Sequence, residues 1–298
     1  MNQQNPSSTP FRDQESQSHH QQRLPFADRL PDTARNHFVA CCGEFIGTFF
    51  FLFFALSGTQ VANTSPDHEH ELTRLLYISV VFGFSLAVNA WVWFRVSGGL
   101  FNPAVCPTSP RLWMMARTDM MEVTLGMWLA GAVPLVRSIL VAVSQVLGGI
   151  VASAVVLGIF PGKLAVTTEL SPNTTLGQGF LIEMFLTFQL LVTILLLAGE
   201  KHAATFMAPI GIGLSLFISE LSGVSFTGGS LNPARSFGPA LVLMDFPSEH
   251  WIYWAGPAVG AMLAAGLYKF LKILDYERAN PGQDASESSS GNAGRIRL

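Results

Sequence analysis

Two stretches decide how this chain is read. One is Ser97-Gly98-Gly99-Leu100-Phe101-Asn102-Pro103-Ala104-Val105; the other is Thr227-Gly228-Gly229-Ser230-Leu231-Asn232-Pro233-Ala234-Arg235. Each is a Gly-Gly bend followed by Asn-Pro-Ala. Asn suits a helix N-cap, and Pro suits the first helical position, where its missing N–H costs nothing. Each copy therefore predicts a loop turning into a helix. Both lie in strongly apolar sequence. A break in regular backbone inside a bilayer is tolerated where it is buried in protein or lines a polar path. Two such breaks, in matching halves, imply a pore.

Composition agrees with a membrane setting. Of the 298 residues 49% are hydrophobic and only 12% charged, against about 25% charged in ordinary soluble domains. The net charge of −3 offers no basic surface for nucleic acid. Three cysteines do not make a disulfide framework. Residues 1–36, rich in Gln, Ser, Pro and His, predict a disordered tail, as do residues 276–298. The apolar part, 37–275, is expected to be one channel domain.

Within it lie six runs of the length that a bilayer requires, at roughly 38–58, 75–94, 138–160, 179–198, 203–222 and 251–273. Run one carries Glu44-x-x-x-Thr48 and run four carries Glu183-x-x-x-Thr187, so each half opens alike and ends in an Asn-Pro-Ala break plus one further helix. Three spans per half place the second half upside down relative to the first. The expected fold is an all-α membrane protein: six transmembrane helices plus two re-entrant half-helices in an inverted repeat. Lys and Arg concentrate in both tails, which predicts cytoplasmic termini. The connections expected outside carry the sequons Asn63-Thr64-Ser65 and Asn173-Thr174-Thr175, so Asn63 and Asn173 are candidate glycosylation sites.

The chemistry of the breaks follows from helix ends. A helix N-terminus carries about half a positive charge, so two of them meeting at mid-membrane repel cations. The amides of Asn102 and Asn232 can donate to a passing water oxygen. The carbonyls of Gly98, Gly99, Leu100, Phe101, Gly228, Ser230 and Leu231 form an acceptor ladder, with apolar residues opposite. Such a path suits small neutral molecules. Glu44 and Glu183 are intramembrane carboxylates that need partners; they are expected to support the breaks by accepting backbone N–H groups. No nucleophile motif, metal-ligand spacing or cofactor signature accompanies them, so an enzyme is not expected, and neither a metal nor a cofactor.

These motifs, Asn102-Pro103-Ala104 and Asn232-Pro233-Ala234-Arg235 above all, resemble the aquaporins of the major intrinsic protein family, fungal water channels in particular. The resemblance covers about 38–273. It implies a homotetramer with one pore per subunit, passing water in single file with proton exclusion, in a bilayer and at the plasma membrane rather than the vacuole. It also implies a selectivity filter of Phe82, Glu220, Gly229 and Arg235. Glu220 stands where water-selective members carry His. A carboxylate there is expected to pair with Arg235, or to widen the range of solutes toward glycerol or hydrogen peroxide. Ser236, Ala240, Tyr253 and Trp254 resemble the water-channel pattern.

One segment departs from that pattern. Val105 is followed by Cys106-Pro107 and a polar, Pro-containing stretch before Val123-Thr124-Leu125-Gly126 resumes. Removing 105–122 restores the family pattern. Pro107 and Pro110 would each cost about 3 kcal/mol inside a helix. The codons for Val105-Cys106 can form a splice donor, and Glu122 can end in AG, so 105–122 reads as a retained intron or an insertion. A non-conducting membrane scaffold is the reading from another class if that segment breaks the first half-helix.

Overall fold

The computed structural model describes residues 31–65, 71–104, 135–199 and 205–280. Contacts divide the chain after Phe38. Ahead of the division, the described residues are the opening turns of the first helix, where Arg35 pairs with Asp32 at 2.6 Å. The elements that follow are α1 (Asp32–Thr64), α2 (Glu71–Trp93), α3 (Leu135–Ile159), α4 (Leu176–Ile194), a π-helical turn (Leu195–Gly199), a short 3-10 turn (Thr205–Met207), α5 (Ala208–Thr227), α6 (Pro233–Leu243), α7 (Ile252–Ile273) and a 3-10 turn (Tyr276–Arg278). The described residues contain no strand.

Among the described residues five helical stretches are long and apolar enough to cross a membrane: Asp32–Thr64, Glu71–Trp93, Val136–Ile159, Leu176–Gly199 and Thr205–Thr227. The sixth expected span is α7, at 22 residues also long enough. Lys269 and Lys272 near its end lower its hydropathy, and Tyr253, Gly256, Pro257 and Gly260 dilute its aliphatic content further. The two glycines serve packing. A Cβ on Gly260 would strike the Met184 carbonyl of α4, and one on Gly256 would come within 2.8 Å of Glu183 Cβ. The same close approach joins α2 to α5, where Gly83 and Gly213 face each other's carbonyls. Small residues let membrane helices gain van der Waals contact that lipid cannot supply.

The helix ends obey local rules. Thr175 caps α4 in a capping box with Gln178. Gly228, at φ 79°, ends α5 in the left-handed region, where Gly costs little. Outward faces are apolar: Phe84, Phe185 and Phe206 are 66%, 61% and 67% exposed. Buried positions on the long helices include Glu44 and Thr48 of α1, Glu183 and Thr187 of α4, and Glu220 of α5. Apolar outside and polar within is the arrangement that lipid as solvent favours.

Boundaries differ from the sequence reading chiefly at α1, which begins six residues earlier and ends six later than run one, and at α5, which extends to Thr227 rather than 222. The second half-helix is α6. The first is described only as far as the turn at Pro103-Ala104; its continuation, the segment 105–122 and both tails beyond 31–280 lie outside the described residues.

Candidate functional site

Two loops with one conformation meet inside the helices. Gly98, Gly99 and Phe101 have φ of 112°, 67° and 53°; Gly228, Gly229 and Leu231 have φ of 79°, 59° and 50°. The glycines tolerate this conformation. Phe101 and Leu231 carry a Cβ, and a left-handed residue of that kind costs about 1–2 kcal/mol. The carboxylates offset the strain. Glu44 accepts the N–H groups of Leu100 and Phe101 at 3.2 and 2.9 Å. Glu183 accepts those of Ser230 and Leu231 at 2.9 and 2.7 Å. Each has one side-chain donor as well: Gln145 Nε2 to Glu44 at 2.7 Å and Thr227 Oγ1 to Glu183 at 2.6 Å. Charge-assisted bonds of this kind are about twice as strong as neutral ones. Gln145 was not singled out from sequence, although a Gln in an apolar run was a usable signal.

The loops are tied to each other by an exchange. Asn102 Nδ2 donates to the Leu231 carbonyl and Asn232 Nδ2 to the Phe101 carbonyl, each at 2.8 Å. The Oδ1 atoms cap the chain ahead, accepting from Ala104 N at 2.9 Å and Ala234 N at 3.0 Å. Each amide therefore keeps one N–H for another acceptor. The expected ladder is partly occupied: Phe101 and Leu231 carbonyls already take an Asn donor.

Arg235 is 2% exposed and held by backbone alone. Its Nη1 donates to Val166 O at 2.6 Å, Nε to Gly229 O at 3.2 Å, and Nη2 to Gly228 O at 3.4 Å. Its guanidinium carbon sits 5.2 Å from the centre of the Phe82 ring, within the range of a cation–π contact. The expected pairing of Glu220 with Arg235 is not found: among the described residues no hydrogen bond or ion pair joins them, and both Glu220 oxygens lack a partner. Glu220 is instead tucked against Gly229, in the space a Cβ there would fill. Backbone carbonyls take three of the five guanidinium N–H donors without it.

A narrow cavity of about 30 Å³ passes these groups, enough for two or three water positions on the scale of about 10–15 Å³ each. Asn102, Asn232, Arg235, Gly98, Gly99, Leu100, Ser230 and Leu231 line it, and the apolar side chains of Phe51, Phe82, Leu86, Leu190, Ile194, Ile212 and Leu216 complete the lining. The π-helical turn after α4 contributes Ala198 to the same lining. Glu220 and Gly229 do not line it. Behind Ser230 runs a chain of hydroxyls that sequence reasoning missed, with Ser230 Oγ to Ser236 Oγ at 2.6 Å and Thr168 Oγ1 to Ser236 Oγ at 2.8 Å.

The two sequons separate. Asn173 is exposed. Asn63 is half-buried and bonded in the folded chain: its Nδ2, the atom a glycan would occupy, donates to the Ala165 carbonyl at 2.6 Å, while its Oδ1 accepts from Arg74 at 3.1 Å.

Paired carboxylate-braced loops, crossed Asn amides and a buried Arg on a narrow cavity define a polytopic membrane protein built around a polar path. Comparison with known proteins agrees. The family model described as Major intrinsic protein matches residues 33–110 and 122–268, and the chain belongs to that family. It is 51% identical over 291 residues to Aquaporin-7 of Botryotinia fuckeliana (strain B05.10), covering 88% of this chain and 60% of that one. It is 52% identical over 271 residues to Aquaporin-5 of the same organism, covering 88% of this chain and 47% of that one. With Probable aquaporin-3 of Gibberella zeae it shares 45% over 255 residues, covering 84% and 83%. The chain thus spans about half to three fifths of the length of the first two relatives. In fold it resembles the X-ray structure of the aquaglyceroporin from Plasmodium falciparum, with a TM-score of 0.65 at 21% identity over 80% of this chain and 99% of that one. The six-span inverted repeat with two re-entrant loops is therefore the fold of this integral, multi-pass membrane protein.

Proposed function

We propose that this chain is a passive water channel, driven by osmotic gradient, with Asn102 and Asn232 orienting water at the centre and Arg235 repelling cations at the outer constriction. The observation that carries the reading is the crossed pair of Asn amides: both residues line one narrow cavity, and each keeps one N–H that the other loop does not take. Two fixed donors at one point hold a water oxygen, so its hydrogens point away along both directions of the file. Proton relay through that water is then broken. Phe82 and Arg235 set the aperture, with Gly229 and Glu220 behind them. The names of the fungal relatives support the same activity.

Glycerol or hydrogen peroxide facilitation is the second reading. The apolar lining residues Phe51, Leu86, Leu190, Ile212 and Leu216 favour glycerol, whose carbon skeleton they can hold while lining carbonyls accept its hydroxyls. Purified protein in liposomes, challenged with an impermeant osmolyte and then with glycerol, separates the two. Shrinkage no faster than in empty liposomes refutes both and favours a scaffold.

We further infer cytoplasmic termini, a homotetramer in the plasma membrane, and a supernumerary segment within 105–122. The two-piece family match, which omits 111–121, supports the last of these. Sequencing the transcript across codons 104–123 tests it; a message containing only the longer form, with the matching peptide in the membrane protein, overturns the intron reading.

A further inference from the structure

The outer constriction holds a carboxyl to which nothing is bonded. Glu220 is 0% exposed, and among the described residues neither oxygen has a hydrogen-bond partner. Glu44 and Glu183, equally buried, each take three donors. The Glu220 carboxyl packs against the Cα of Gly229, where a Cβ would collide with Oε2 and lie 3.0 Å from Cδ. The carbonyl of that same Gly229 accepts Arg235 Nε at 3.2 Å. A single glycine therefore separates a bare carboxyl from a fixed guanidinium.

The charged and titratable groups facing Glu220 are few. Arg235 comes from α6 and Glu183 from α4. Tyr253 of α7 is bonded to the Thr227 carbonyl at the end of Glu220's own helix. From α2, Glu71 and Arg74 border the outer mouth beside Val224, as does Glu169 of the α3–α4 connection. Glu183 is saturated by its three donors. Arg235 is the cation within reach.

A charge buried without donors is strongly disfavoured, and a buried ion pair is tolerated when its geometry is good. The tucked position accommodates a neutral acid. A carboxylate is better placed on the guanidinium, whose planar fork can meet both oxygens at once. Gly229 presents no side chain between the Glu220 carboxyl and the backbone carbonyl that holds Arg235.

We propose that Glu220 is a proton-operated switch of the outer constriction: as the acid it stays behind Gly229 and leaves Arg235 on the backbone carbonyls, and as the carboxylate it pairs with Arg235 and narrows the path. Ionisation releases one proton to water at the outer mouth, and reopening takes one back. The device regulates the conduction proposed above and rests on that reading.

The test uses the full-length protein in liposomes, wild type beside Glu220→Gln, which keeps the side chain's size and removes its titration. Osmotic water permeability is followed across pH, and infrared difference spectra are recorded on the same samples. Wild type is expected to lose permeability several-fold as pH rises. Glu220→Gln is expected to be flat with pH, whatever its absolute rate. The spectra are expected to show a protonated-carboxyl band that bleaches over the same pH interval and is missing from Glu220→Gln. A flat wild-type profile, a pH response retained in Glu220→Gln, or no such band overturns the switch. Absence of conduction at every pH would refute the channel reading instead, and the infrared titration would still decide whether Glu220 exchanges a proton.

Discussion

Asn102 Nδ2 donates to the carbonyl of Leu231 at 2.8 Å, across 129 positions of sequence. Its counterpart, Asn232 to Phe101, has the same length. Each bond fixes the backbone carbonyl just ahead of the other Asn, so the amides are oriented by each other's loops.

Replacing Asn232 by Asp removes the donor to Phe101 while keeping the oxygen that caps Ala234. The variant also sets an acceptor against the Phe101 carbonyl. A buried acceptor left without its donor costs about 1–3 kcal/mol. We expect a lower unfolding temperature in detergent and water permeability at the liposome background. Unchanged permeability would show that the amide does not orient the permeating water.

Glu183→Ala strips the acceptor from Ser230 N–H, Leu231 N–H and Thr227 Oγ1 together, at a fully buried position. Several kcal/mol of destabilisation are expected, on the order of 3 kcal/mol or more. Glu183→Gln keeps one oxygen and should lose less. Thermal unfolding of the purified proteins ranks them, and equal stabilities for wild type and the Ala variant would refute the bracing role.

Gly229→Ala meets two obstacles, the left-handed φ of 59° and the Glu220 carboxyl. The backbone part costs about 1–2 kcal/mol. Adding Glu220→Ala should relieve only the steric part. The double variant is therefore predicted to lie between wild type and Gly229→Ala in unfolding temperature. Simple additivity of the two single substitutions would contradict the contact.

Expression in a glycosylating host should give a glycosidase-sensitive form that Asn173→Gln abolishes and Asn63→Gln leaves in place. Asn63 is already bonded to Ala165 and Arg74 at the end of α1. A mobility shift lost only in Asn63→Gln would show that this end of the helix opens during synthesis.

Much of the architecture was legible because it repeats. The Gly-Gly-x-x-Asn-Pro-Ala pattern states a backbone conformation twice, and both copies adopt it, down to the left-handed residue before each Asn. Glu44 and Glu183 stood out because a carboxylate in an apolar run must be satisfied somewhere. The partners that satisfy them were only half visible: a backbone N–H leaves no mark in sequence, and Gln145 lies 101 positions from Glu44. The position of Glu220 was misread for a related reason. Opposite charges at filter positions suggest a pair, yet three carbonyls at Gly228, Gly229 and Val166 claim the guanidinium first. The Asn63 sequon was legible as a motif, but its tie to Ala165 depends on how a distant connection folds back.

The left-handed turn at Phe101 has a consequence for biosynthesis. On a ribosome the amino-terminal loop emerges long before Asn232 exists, and the Phe101 carbonyl has to wait for a donor 131 residues downstream. During that interval the first loop can lean on Glu44 but not on its twin. A nascent chain stalled before Asn232 would thus carry a first loop whose Phe101 carbonyl lacks its Asn232 donor.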